Sequence, residues 1–237
     1  MKNCKNGLFV VFEGLDKCGK TTALNSVKDQ FLKNGYKNII TTFEPGDSEI
    51  GFKIRPILLD ASLHLSNLTE FFLFISDRLE HTLQLILKKL DGGNIVIVDR
   101  FHFSTFSYQV YPSILKIKGK NYKDEDELLR LKSLIKIDKI FGNYLFSLIE
   151  PDLIFYFFND KKIMTDKLEK KDRFESRGEE YLKNVMIGYI KSFSYYKNFK
   201  RIVYKVPFSN GIEKNRMMIY DIIKLNYQKM INKFNDK

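Results

Sequence analysis

A chain of 237 residues, 44% of them hydrophobic, is long enough to bury a sizeable core, and its composition is that of one globular domain. No apolar run is long enough for a signal peptide or a membrane span, so the cytoplasm is the expected location and no membrane partner is expected. The formal charge of +11 raises the question of a nucleic-acid partner, but only eight of the 40 basic residues are Arg and the lysines are interspersed with Asp and Glu. No zinc-ligand spacing accompanies them, so the excess reads as a solvated surface that favours anionic substrates, with no stable nucleic-acid partner.

In chain order, the first element is a continuous apolar run, Leu8 to Phe12, as expected of a parallel strand buried on both faces. Residues Gly14 to Thr21 then fit GxxxxGK[ST] without a mismatch, and Thr22 to Asn34 has a helix's composition. Strand, glycine loop and helix in that order make a phosphate-binding loop. Gly14, Leu15, Asp16, Lys17, Cys18, Gly19, Lys20, Thr21 and Thr22 are therefore the candidate ATP-binding residues. The glycines let amide N–H groups converge on phosphate oxygens, Lys20 adds charge for the outer phosphates, and the Thr21 hydroxyl can ligate Mg²⁺. Cys18 needs only to be small; with Cys4 it makes no disulfide framework, and both are read as reduced.

Tyr36 to Phe43 reads as a second strand ending at Glu44, Pro45 and Gly46. Ser48 to Leu59 reads as a short helix that Pro56 kinks or divides. A long central helix is expected from Thr69 to Leu90, in which Phe74 and Arg78 share a face. Asn94 to Val98 is a third strand, followed by Asp99 and Arg100. The loop, Glu44 and Asp99 thus stand at the carboxyl ends of three strands, the edge where open parallel sheets bind ligands. His102 reads as a packing or hydrogen-bonding residue, and no metal site is expected from three scattered histidines.

The segment 110–150 opens with a lysine-rich stretch, Tyr111 to Lys123, expected to be a loop. Asp124 to Asp126 then give an acidic start to an amphipathic helix carrying Leu128, Leu131, Leu134, Phe141, Leu145 and Leu148. Leu153 to Phe158 is a fourth strand. Residues 160–178 are dense in charge and read either as a solvated surface or as a mobile lid that closes over phosphates. A helix to about Phe199, a fifth strand from Arg201 to Val206 and a last helix complete the chain. The fold expected is α/β, a five-stranded parallel sheet flanked by helices on both faces, in one domain spanning 1–237.

The order FEGLDKCGKTT, EPG with EIGFKIRPILL, TEFFLFISDR, IVIVDRFHFSTFSYQ, PDLIFYF, DRFE and GYI resembles the thymidylate kinase family across nearly the whole chain. The resemblance implies transfer of the ATP γ-phosphoryl to dTMP, giving dTDP and ADP, with Mg²⁺ and a homodimer. It implies a catalytic set of Lys20, Asp99, Arg100, Arg173 and Lys17, with Thr21 and Asp99 at the metal. For dTMP it implies Asp16 at the deoxyribose 3′-hydroxyl, Phe74 stacked on thymine, Arg78 on its carbonyl edge and Arg100 on the phosphate. Ser104, Tyr108 and Tyr189 complete that pocket.

The chain departs from the family's pattern in four places. No Arg precedes Glu44 or lies between Gly46 and Ser48, which leaves Arg100 to meet the acceptor phosphate with a Lys or with weaker affinity. Lysines such as Lys167 replace an upstream lid arginine, and Lys17 sits where some members place a catalytic Arg. The segment 110–150 is about twice the usual length, an enlarged loop and helix. Two other functions fit the same motifs: a deoxynucleoside or broader-specificity (deoxy)nucleotide kinase, and a non-catalytic nucleotide-binding or nucleic-acid-binding protein.

Overall fold

Leu8, Val10 and Phe12 pack on one side of a strand and Phe9 and Val11 on the other, all buried. A run apolar on both faces needs helices on both sides, and the rest of the chain supplies them. In the computed structural model, which describes residues 6–119, 124–159 and 177–235, this strand is β1 (Leu8–Gly14), followed by α1 (Lys20–Lys33) and β2 (Ile39–Phe43). Next come α2 (Glu49–Leu59), α3 (Asn67–His81), α4 (Leu87–Asp91) and β3 (Ile95–Asp99). Then follow α5 (His102–Thr105), α6 (Tyr111–Gly119), α7 (Glu125–Leu148) and β4 (Leu153–Phe158). The chain ends with α8 (Glu179–Ser192), β5 (Val203–Pro207) and α9 (Gly211–Asn235).

The five strands form one parallel sheet in the order β2-β3-β1-β4-β5. Val27 and Phe31 of α1 and Ile219, Ile223 and Tyr227 of α9 cover one face. The other is covered by Ile86 and Leu90, Phe101 and Phe103, Leu145 and Phe146 of α7, and Val185 and Tyr189 of α8. A smaller cluster of Phe71, Ile75, Phe106, Val110 and Leu134 joins α3 to α7 away from the sheet. In register, Phe12 lies beside Asp99 and Phe43 beside Asp99 from the other side, so β1, β2 and β3 end together. No helix among the described residues is long and apolar enough to cross a membrane.

Several sequence expectations need correction. Residues Tyr111–Gly119 form helix α6 rather than a loop: Tyr111 and Ile114 pack on the small cluster, Ser113 Oγ donates to the Gln109 carbonyl, and Lys116 and Lys118 suit the last turn. Pro56 does not divide α2. The helix expected over 69–90 instead runs from Asn67 to Asp91, capped by the Ser66 hydroxyl and widened into π turns at Thr82–Ile86. The helix expected to reach Phe199 ends at Ser192. The acidic start holds: Asp124 Oδ1 accepts from the Glu127 N–H, 3.0 Å. Residues 160–176, with Arg173 and Lys167, lie outside the described residues, as does Cys4.

Candidate active site

The loop after β1 folds as its glycines require. Gly19 sits at φ +87 with nothing near its missing side chain, so torsion alone demands glycine there. Gly14 (φ +141) also lacks room, since a Cβ would stand 2.2 Å from the Phe157 carbonyl oxygen. Lys20, nearly buried, donates from Nζ to the carbonyls of Gly14 (3.0 Å) and Leu15 (2.6 Å), which holds its ammonium within the loop. Thr21 Oγ1 donates to Asp99 Oδ2 at 3.2 Å, and the buried Asp99 Oδ1 has no hydrogen-bond partner among the described residues.

Arg100 is at φ +73, a left-handed conformation that costs an arginine about 1–3 kcal/mol. Its N–H donates to the Phe12 carbonyl (2.8 Å), and the turn sends the side chain back over the loop. Nη2 meets Asp16 Oδ1 at 2.8 Å, while Nη1 donates to Tyr189 OH (2.8 Å) and Ser104 Oγ (3.1 Å). Burial opposes ionisation of Asp16, but Arg100 and Lys20 overcome it and lower the carboxyl to about 2. Beneath, the buried Glu13 accepts from Ser104 Oγ (2.6 Å) and the Phe101 N–H (2.9 Å). Burial pushes Glu13 up to about 7 despite the Ser104 bond and the Arg100 charge.

Arg78 is fully buried on α3. Its Nε donates to Glu44 Oε2 (2.6 Å) and its Nη1 to Thr105 Oγ1 (2.5 Å). Glu44 also meets His81 Nδ1 at 2.9 Å. Burial alone would raise the Glu44 carboxyl, yet Arg78 and His81 hold it below its ordinary value.

These groups line two adjoining cavities. One, of about 170 Å³, is bounded by Phe74, Arg78, Ser104, Thr105, Tyr108 and Gln109, with Pro45 and Leu59. The other, of about 680 Å³, is bounded by Lys17, Gly19, Lys20, Thr21, Thr22 and Asp99, with Asp47 and others. Asp16, Glu44, Arg55 and Arg100 border both. Of the candidate ATP residues, Gly14, Leu15 and Cys18 do not line the second cavity; the first two present carbonyls to Lys20, and Cys18 Sγ bonds the Leu15 carbonyl. Tyr189 lies behind the first cavity, bonded to Arg100 and Ser104.

Sequence reading missed three residues here. Arg55 brings an arginine beside Glu44 and Pro45, where none was expected: it comes from α2, lies over the Phe43 ring at 5.1 Å and donates to the Pro45 carbonyl. Its signal was its place two turns into a helix capped by Ser48. Thr105 and Gln109 stand one helical turn apart on the second-cavity-distal wall, and Gln109 Nε2 is tied to Glu70 Oε1 (2.9 Å), which in turn accepts from Arg177 Nη2 (2.7 Å).

Asp99 and Thr21 offer hard oxygen ligands beside an orphaned carboxylate oxygen, which fits Mg²⁺ completed by phosphate oxygens and water.

A parallel sheet with a phosphate loop at its ligand edge, opposed by a second cavity across two arginines, defines a P-loop phosphotransferase. The thymidylate kinase family model matches residues 12–128. A thymidylate kinase of Caldicellulosiruptor saccharolyticus is 30% identical, over 92% of this chain and 98% of its own. One of Prochlorococcus marinus is 36% identical, over 77% and 82%. The solved thymidylate kinase of Candida albicans superposes with a TM-score of 0.67 at 21% identity, over 93% and 92%, a likeness of fold. The chain belongs to the thymidylate kinase family, and it is a kinase.

Proposed function

We propose that this chain transfers the γ-phosphoryl of ATP to dTMP, giving dTDP and ADP, in the cytoplasm. The observation that carries the reading is the border shared by the two cavities. A donor triphosphate on the Lys20 side and an acceptor monophosphate on the Arg78 side would bring their reacting ends together between Arg55 and Arg100.

Both reacting groups are anions, so the protein's work is to neutralise their repulsion, align them and exclude water. Lys20 and the loop amides bind the donor. Arg100, fixed by Asp16, Ser104 and Tyr189, and Arg55 bind the acceptor phosphate. Thr21 and Asp99 would hold Mg²⁺, which when bound supplies further neutralisation of the transferred group. Phe74 and Arg78 face the base, with Tyr108 beside it. Lys17 shares the charge of the loop, and Arg173 is assigned to the transferred phosphoryl from the sequence alone.

We read the enzyme as a homodimer: α2 and α3 leave Ile50, Phe52, Ile57 and Phe72 exposed, apolar surface that a second copy would cover. An acceptor panel with ATP and Mg²⁺ tests the activity. ADP release is expected to be fastest with dTMP; release only with thymidine, or with none of the acceptors, would overturn it.

A further inference from the structure

Helix α7 of the enlarged segment brings a carboxylate, Asp138, into the interior behind the base cavity. Asp138 Oδ2 accepts from Tyr196 OH at 2.6 Å. Its Oδ1 lies 3.2 Å from His102 Nε2, within ion-pair range, and neither atom has a hydrogen-bond partner among the described residues. On the opposite side of the same ring, His102 Nδ1 lies 3.5 Å from Arg78 Nη1. Both His102 and Asp138 are completely buried. The helix is shaped for this approach: a Cβ at Gly142, one turn after Asp138, would stand 2.9 Å from His102 Nε2 and 2.3 Å from the Tyr196 ring.

The chemistry of the donors fixes where the proton sits. With Oδ2 already accepting from Tyr196, Oδ1 faces Nε2 as an acceptor, which favours the His102 tautomer with the proton on Nε2. Nδ1 then carries a lone pair toward a guanidinium that only donates. The other tautomer would set N–H against N–H. Burial holds His102 below its ordinary value even with Asp138 beside it, which keeps the ring neutral.

We propose that Asp138 is a positioning residue for Arg78, acting through the tautomer of His102, and that the enlarged segment thereby contributes to recognition of the pyrimidine edge. This rests on the reading that Arg78 faces the thymine.

The test is Asp138→Asn, which keeps the shape but can donate to Nε2 and move the proton to Nδ1. The dTMP KM is expected to rise about tenfold, with kcat and the ATP KM within about twofold. The preference for dTMP over dCMP should fall in step. In a His102→Phe background the same substitution should add nothing. Tyr196→Phe should lower Tm without moving the dTMP KM. A fall in Tm with an unchanged dTMP KM in Asp138→Asn, or an equal rise in the His102→Phe background, would overturn the inference.

¹⁵N NMR of the histidines in the unmodified protein needs no variant: protonated Nε2 is expected, and protonated Nδ1 would contradict the inference. Arg78→Ala measured alongside separates the two failures. If it leaves the dTMP KM unchanged, the base assignment falls and this inference with it; if only Asp138→Asn does, this inference falls alone.

Discussion

Arg100 Nη2 stands 2.8 Å from Asp16 Oδ1, an ion pair that joins the turn after β3 to the phosphate loop where the two cavities meet. The pair aims a guanidinium whose backbone already adopts an unfavourable conformation. Asp16→Asn removes the charge but keeps the shape, leaving Arg100 with the neutral Ser104 and Tyr189. We expect kcat/KM for dTMP to fall roughly 10- to 100-fold, the range of a charge-assisted contact. Steady-state kinetics with unchanged kcat/KM would show that Arg100 is aimed without it.

Lys20 holds two loop carbonyls and faces the larger cavity. Lys20→Ala should cut kcat by about 10²- to 10³-fold, as expected for loss of a preorganised charge at the transferred group. The fold should survive, which far-ultraviolet circular dichroism checks. Full turnover at saturating ATP would remove Lys20 from the chemistry.

For Arg55, the position on both cavity walls predicts an acceptor-side effect. Arg55→Ala should raise the dTMP KM about 10- to 100-fold and leave the ATP KM within about twofold. A rise in the ATP KM with an unchanged dTMP KM would place Arg55 on the donor instead.

Contiguity decides how much of this site the sequence discloses. The phosphate loop is legible because its motif, Gly14 to Thr21, is one run of consecutive residues between a strand and a helix, and the Asp99–Arg100 pair because it ends a buried strand. The sheet was legible for a related reason: β1, β3 and β4 are unbroken apolar runs. Arg55 was hidden because it reaches Pro45 across two helical turns, and Asp138 because its partner His102 lies 36 residues earlier, on another element. Helix α6 was misread because Lys116 and Lys118 outweighed Tyr111, Ser113 and Ile114, whose burial comes from neighbours that no local pattern names. The wide turns at Thr82–Ile86 likewise leave no mark in composition.

Glu13 predicts a pH dependence of stability. Between the ordinary carboxyl value of 4.5 and its folded value of about 7, the native state keeps a proton that the unfolded chain releases. Stability therefore falls as pH rises through that window and levels off above it, by roughly 3 kcal/mol from this group. In Glu13→Gln, which cannot titrate there, the fall between pH 5 and pH 8 in urea denaturation should shrink by about that amount, leaving the smaller fall from Asp77, whose carboxyl burial raises to about 6. The same fall in variant and unmodified protein would assign it elsewhere.

The central claim is direct transfer between two anions held on either side of Arg55 and Arg100. The most direct measurement is to supply ATP labelled at the γ-phosphorus together with dTMP and Mg²⁺, and to resolve the products. The label is expected in the β-phosphate of dTDP, in step with ADP formed. Label appearing in inorganic phosphate while dTMP is unchanged would contradict the claim.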